Sequence, residues 1–276
     1  MITQNDWFEL ICENYKCPPV LFENEKMPGF PSDTIQTNTT GQAGVATLQE
    51  AFVFYQDCTE TFAMLGKPIQ RENRLLDFGV GWGRIARFFM RELPLSNIHG
   101  LDVMSEFIDI CRKTFRSENF HVTKPFPPSI MPDRFLNYVV GYSVFSHLSE
   151  KACKQWMREF HRITIPGALV ALTTRGRPFF DYCESLKGKG FCGYSDALST
   201  MFADFDAARA RYDRGEFVHS NADGVSGGGA MTREFYGETF IPEQYAQTAY
   251  SDLFTFERFL FDPMRQTHPI LFFRRK

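Results

Sequence analysis

The run Leu75-Leu76-Asp77-Phe78-Gly79-Val80-Gly81-Trp82-Gly83-Arg84 constrains this chain more than any other stretch. Four residues of strand character lead into three glycines at every second position, and helical periodicity follows. Glycine lets a backbone approach a ligand closely, and the amide groups at a helix start attract an anion. The run is therefore read as a strand delivering a glycine turn to a helix, the arrangement that cradles a nucleotide-like cofactor. Dinucleotide folds place their glycines as G-x-G-x-x-G. Counted from Gly79, that pattern puts Arg84 at the last glycine, where a long side chain crowds a pyrophosphate. The pattern here is acidic-x-G-x-G-x-G, led by Asp77.

From Arg74 onward, strand and helix signals alternate, as expected of a doubly wound, mostly parallel sheet. Strands are predicted at Leu75–Phe78, Ile98–Val103, Phe120–Thr123, Phe135–Tyr142, Ala168–Thr174, Phe254–Phe261 and Pro269–Arg274. Ile85, Phe88 and Phe89 share one helical face after the glycine turn, and Phe107, Ile110, Cys111 and Thr114 share another. Ser149 is placed to cap a helix that turns Ala152, Trp156, Phe160 and Ile163 inward and ends at Pro166-Gly167. Ahead of the sheet, Leu48, Ala51, Phe52, Tyr55, Thr59 and Phe62 form a helical stripe ending at Gly66 and Pro68. Residues 1–70 are read as a helical cover and 71–276 as the sheet-bearing core. An insertion at 175–238 has helical segments near Phe179–Leu186 and Tyr194–Tyr212 and then the glycine-rich loop 221–229. An insertion of this length late in a sheet carries substrate recognition or a lid, or serves as a stabilising or dimerising subdomain.

Composition narrows the classes. At 276 residues with a net charge of −3, the chain lacks the basic footprint of a nucleic-acid binder. Thirty phenylalanines and ten tyrosines predict a strongly aromatic core. The seven cysteines are scattered, with no C-x-x-C pair, so neither a disulfide framework nor a zinc site is indicated, and the histidines share no metal-ligand spacing. Neither a basic-then-apolar leader nor an apolar run long enough for a membrane span is found, so a cytoplasmic protein without membrane insertion is expected.

The glycine motif resembles motif I of the class I S-adenosylmethionine-dependent methyltransferases. Phe78–Arg84, Tyr142-Ser143-Val144-Phe145-Ser146-His147-Leu148 and Pro166–Val170 are similar to bacterial members associated with sugar, surface-glycan or other small-molecule modification. The resemblance implies a Rossmann-like α/β fold: a seven-stranded, mostly parallel sheet with an N-terminal helical cover and a helical insertion before the last two strands. It implies S-adenosylmethionine as cofactor and S-adenosylhomocysteine as product. Gly79, Gly81 and Gly83 then lie under the methionine and ribose portion. Asp77 supports the loop and the cofactor's ammonium, and Asp102, ending the second strand, accepts from both ribose hydroxyls. Val103 or Met104 packs on the adenine. The acid that relatives often carry after the third strand is replaced by Lys124-Pro125-Phe126-Pro127, leaving backbone groups or Phe126 to meet the base. Tyr142 closes the cofactor list, and Arg84 either steadies the cofactor carboxylate or sits on an exposed helix face.

His147, after the fourth strand, is the catalytic candidate, because imidazole titrates near neutrality and suits a general base. A structural histidine, bonded to a loop carbonyl or lining the cofactor pocket, is the other role open to it. Gln36, Tyr55, Arg175, His219, Tyr236 and Glu238 are acceptor-side candidates; a solvated surface role is the alternative for Arg175, His219, Tyr236 and Glu238, while Gln36 and Tyr55 belong to the N-terminal cover. The function expected is O-methylation of a sugar, glycan precursor or other small molecule, by a protein free to form a homodimer. The alternatives are N- or C-methylation of a natural product, or a non-catalytic cofactor-binding regulatory or scaffold protein.

Overall fold

The computed structural model describes residues 2–225 and 227–276; Ser226, in the glycine-rich loop read at 221–229, lies outside the described residues. In chain order the first elements are α1 (Gln4–Lys16), β1 (Leu21–Phe22), β2 (Glu25–Lys26), α2 (Asp33–Thr40), α3 (Val45–Met64), β3 (Leu75–Phe78) and α4 (Ala86–Phe89). There follow β4 (Ile98–Asp102), α5 (Ser105–Phe115), β5 (Phe120–Val122), β6 (Leu136–Gly141), α6 (Glu150–Ile163) and β7 (Thr164–Thr173). The insertion contributes α7 (Pro178–Ser185), α8 (Tyr194–Thr200), α9 (Phe205–Asp213) and β8 (Val218–Ser220). The chain closes with β9 (Glu238–Phe240), α10 (Glu243–Ala249), β10 (Phe254–Leu260) and β11 (Ile270–Arg275). The central sheet has seven strands in the order β10-β11-β7-β6-β3-β4-β5, a Rossmann-like arrangement. No helix among the described residues is long and apolar enough to cross a membrane.

The chain divides into two units. The first runs to Thr123 and adds Leu136–Val140 and Met264–Thr267. In it β3 pairs in parallel with β4 on one side and β6 on the other, and β4 with β5. Every residue of β3 is buried, the unbroken apolar habit of a parallel strand covered on both faces, with Asp77 the one polar member. Thr3 and Asp6 close a reciprocal capping box at the start of α1. From that helix Trp7 donates its indole N–H to the Phe88 carbonyl at 2.9 Å. Phe8, Phe52, Tyr55, Phe88 and Phe89 form one aromatic cluster, ring to ring at 4.7–6.5 Å. Gln266, near the chain's end, returns to hold Asp57 of α3 at 2.7 Å.

The second unit comprises Lys124–Phe135, Gly141–Pro263 and His268–Lys276. Ser149 caps α6 by accepting from the Ala152 amide, as its sequence predicts, and the buried stripe is Ala152, Cys153, Trp156, Met157, Phe160 and Ile163. β11 lies antiparallel between β7 and β10. Helices α7, α8 and α9, with the antiparallel β8–β9 hairpin, enclose a separate core around Phe180, Leu198, Phe205, Val218 and Phe240. Phe180 and Phe240 stack there with centroids 3.8 Å apart.

Three expectations change. The helix after the glycine turn is only four residues long, because Gly81 and Gly83 hold left-handed φ of +52° and +82° and the helical hydrogen bonds lapse into turns toward Pro94. The helix expected to run to Pro166-Gly167 stops at Ile163, and β7 carries the chain straight through both residues. The ladder between β7 and β11 uses only Leu169–Thr173, so the N–H that Pro166 lacks is never required there. The helical stretch expected across Tyr194–Tyr212 is broken in two, Asp204 capping the second helix through the Ala207 amide at 2.9 Å.

Candidate functional site

In the first unit the glycine turn is pinned from both strands that border it. Gly79 and Val80 donate their amides to the Leu101 carbonyl at 2.8 and 3.0 Å. Gly81 donates to Asp102 Oδ2 at 2.8 Å, and Met104 donates to Asp102 Oδ1 at 2.9 Å. Asp102 thus joins the turn after β3 to the turn after β4. Burial pushes its carboxyl above the usual range, against the pull of the amides of Met104, Gly81 and Val103. The carboxylate holds backbone amides on both oxygens and keeps acceptor capacity, which is what a pair of vicinal hydroxyls needs.

Asp77 is 1% exposed and accepts the Ala86 amide at 2.9 Å, so it caps the short helix α4. Burial pushes its carboxyl up to about 7, opposed by that amide and by Arg84 and reinforced by the nearby Asp102. This corrects the helix-dipole reading of the turn: α4 is a single turn, and the Ala86 N–H is already taken. What the turn offers is close backbone approach. A Cβ on Gly81 would meet nothing within 4 Å, whereas a Cβ on Gly83 would lie 2.3 Å from the Phe115 ring. Gly81 borders open space and Gly83 is packed against α5, so the residues fit a nucleoside cofactor laid over Gly81 with its hydroxyls toward Asp102. Val103 and Met104 follow, both half-buried.

Three other candidates in this unit are structural ties. Arg84 turns to helix α3, where its Nη1 donates to Thr47 Oγ1 and to Glu50 Oε2, each at 2.7 Å. Gln36 is fully buried, accepting the Gly44 amide and donating to the Pro31 carbonyl, both at 3.0 Å. Tyr55 is also fully buried and donates its hydroxyl to Glu92 at 2.6 Å within the aromatic cluster. The exposed helix face considered for Arg84 is overturned by its burial.

The second unit gathers four of the predicted residues in one polar cluster. Backbone hydrogen bonds lay the segment around β9 against the His147 loop: Gly237 donates to the His147 carbonyl, Thr239 to Ser146, and Ser149 to Phe235, each at 2.8 Å. That register brings Glu238 to His147, with Glu238 Oε1 3.1 Å from His147 Nδ1. The same nitrogen lies 2.8 Å from the Gly237 carbonyl. A carbonyl only accepts, so Nδ1 carries the proton and Nε2 is the bare nitrogen of the neutral ring. Nε2 lies 3.5 Å from the Ser143 hydroxyl. Tyr236 stacks on the imidazole with centroids 4.8 Å apart and planes 2° from parallel.

Arg175 donates through Nε to Glu238 Oε2 at 2.7 Å and lies over the Phe179 ring. Burial works to raise the Glu238 carboxyl, but His147 and Arg175 outweigh it and hold it down at about 2. His219 is placed elsewhere. It pairs with Thr239 across the hairpin, so it shares that residue's face, opposite Glu238. Its Nδ1 lies 2.7 Å from Thr239 Oγ1, and burial brings the ring down to about 4, so it is neutral at physiological pH. Phe126 meets Phe235 edge-on at 6.1 Å, and Tyr142 packs against His268 at 5.5 Å.

Two contributors escaped sequence reasoning. Tyr194, from α8, donates its hydroxyl to Glu238 Oε1, and His268 Nε2 lies 3.5 Å from Arg175. They stand 44 and 93 residues from those partners, and no local pattern marks either.

Residues 75–167 match the family described as methyltransferase domain. No curated protein matches the chain. Among solved structures, an S-adenosylmethionine-dependent methyltransferase from Mesorhizobium loti aligns at 12% identity and a TM-score of 0.54, covering 80% of this chain and 100% of that one. A structure described under conversion of a disulfide bond into a thioacetal group during echinomycin biosynthesis aligns at 14% identity and a TM-score of 0.50, covering 79% and 82%. The magnesium protoporphyrin IX methyltransferase of Synechocystis PCC 6803, solved with S-adenosylhomocysteine, aligns at 10% identity and 0.49, covering 84% and 85%. At these identities the first two likenesses establish the fold. With the family match running from β3 into β7 across the glycine turn and Asp102, residues 75–167 form a methyltransferase domain with the fold of the class I, S-adenosylmethionine-dependent enzymes.

Proposed function

We propose that this enzyme methylates a hydroxyl oxygen of a sugar, glycan precursor or other small molecule, with His147 as the general base. The observation that carries the reading is the fixed imidazole: Nδ1–H is held by the Gly237 carbonyl and Glu238, leaving Nε2 as the basic atom. When bound, S-adenosylmethionine supplies a sulfonium-activated methyl group, and the protein's share is positioning and proton removal. His147 Nε2 would take the proton of the acceptor hydroxyl, and Glu238 would stabilise the imidazolium that results. An amine acceptor finds less here, because the buried Glu238 charge is already engaged by Arg175 and His147. All seven cysteines are free thiols, which supports a reducing, cytoplasmic setting.

The test uses S-adenosylmethionine with a deuterated methyl group against a panel of monosaccharides, nucleotide sugars, phenols and amines, read by mass spectrometry. Label should appear on oxygen acceptors, and His147→Ala should lower the rate by about 10²–10⁴-fold. Label confined to amines, or full turnover in His147→Ala, contradicts the proposal.

A further inference from the structure

Glu238 Oε1 is shared by two donors, His147 Nδ1 at 3.1 Å and the hydroxyl of Tyr194. Tyr194 opens helix α8 in the insertion, so a side chain from the insertion core reaches the carboxylate that orients the imidazole. Its ring is half exposed while its hydroxyl meets a fully buried acid. Arg175 also meets it, Nη2 lying 3.4 Å from the Tyr194 oxygen. Simple packing does not require a phenol hydroxyl at this point, since an aromatic hydrocarbon would fill the same space.

We infer that Tyr194 is a positioning residue of the His147–Glu238 pair, drawing on the Glu238 oxygen that would otherwise be wholly available to His147. This rests on the reading of His147 as the base. A carboxylate that already accepts a phenol proton is a weaker acceptor for a second donor. Tyr194 thereby lowers the basicity of the imidazole, and it links that basicity to the placement of α8. The groups facing His147 are Glu238 and the Gly237 carbonyl from the β9 segment, the Ser143 hydroxyl from its own loop and the Tyr236 ring. Arg175 and Tyr194 act on it through Glu238, and His219 interacts with it electrostatically from the far face of the hairpin.

The experiment needs no acceptor: a nitrogen-15 NMR titration of histidine-labelled protein, with His147 assigned by its loss in His147→Gln. Tyr194→Phe removes one oxygen atom from a half-exposed side chain and should raise the His147 midpoint by about half to one pH unit. In a Glu238→Gln background the same change should leave the midpoint within about 0.2 units, the signature of action through Glu238. An unchanged midpoint in Tyr194→Phe, or a shift that persists without the carboxylate, overturns the inference. If the midpoint moves as expected while His147→Ala retains full turnover, the tyrosine's role stands and the base assignment falls.

Discussion

Gly81 and Asp102 are joined by a 2.8 Å hydrogen bond that spans 21 residues of sequence, from the middle of the glycine turn to the end of the next strand. The bond fixes the turn and the acid as one unit, so a ligand that rests on the first is measured against the second. It also separates the roles of two glycines, since Gly81 borders open space and Gly83 is packed against Phe115.

Gly81→Ala and Gly83→Ala should therefore fail in different ways. At Gly83 a methyl group meets Phe115 at 2.3 Å on a backbone of φ +82°, and destabilisation of about 2–4 kcal/mol is expected. The melting temperature should drop by roughly 5–10 °C. Gly81→Ala should cost only about 1 kcal/mol, for its left-handed φ, while weakening cofactor binding at least about tenfold by occupying the approach. Thermal melts and calorimetric titrations of the two variants check this; equal loss of stability in both would contradict it.

Asp77 should make stability depend on pH in an unusual direction. Its folded carboxyl titrates at about 7, above the ordinary 3.8, because it is buried. The stabilisation it contributes is full below about pH 4 and lost as pH rises through about 7. Asn keeps an acceptor for the Ala86 amide and carries no charge. The stability of Asp77→Asn relative to the parent should thus improve between pH 4 and 8, measured by denaturant unfolding without cofactor. A constant difference over that range would refute the account.

Glu238 has the opposite sign. Held at about 2 in the fold against an ordinary 4.5, it contributes stability that is full above about pH 4.5 and disappears as pH falls through about 2. Glu238→Gln leaves Arg175 buried without its counter-charge, and about 3–5 kcal/mol should be lost at pH 7. The deficit should shrink as pH falls toward 2. A deficit that stays at full size down to pH 2 would mean that Glu238 is not held low in the fold.

These residues also show what a sequence reveals. Leu75–Phe78, the glycines and Asp102 were legible because strand, turn and acid lie within 28 residues, and Ser149 because a cap acts on its own helix. The extent of α4 was not legible, since periodicity in Ile85, Phe88 and Phe89 says nothing of where helical hydrogen bonds stop. Nor was the course of β7, since a Pro-Gly pair breaks a strand only where the ladder needs that N–H. His147, Arg175, Tyr236 and Glu238 were each named from the sequence, but their meeting depends on the register of β9 against the His147 loop. Tyr194 was beyond reach, its hydrogen bonds to Glu238 and Arg175 being set by tertiary packing.

The central claim is that the turn at Gly79–Gly83 and Asp102 together form the cofactor site. Calorimetric titration of S-adenosylhomocysteine into the parent protein and into Asp102→Ala tests it most directly. The account predicts saturable binding by the parent and an affinity weaker by about 10–100-fold in the variant, the worth of charge-assisted hydrogen bonds at about 1.5–3 kcal/mol. No binding by the parent, or equal affinity in a folded Asp102→Ala, would contradict it.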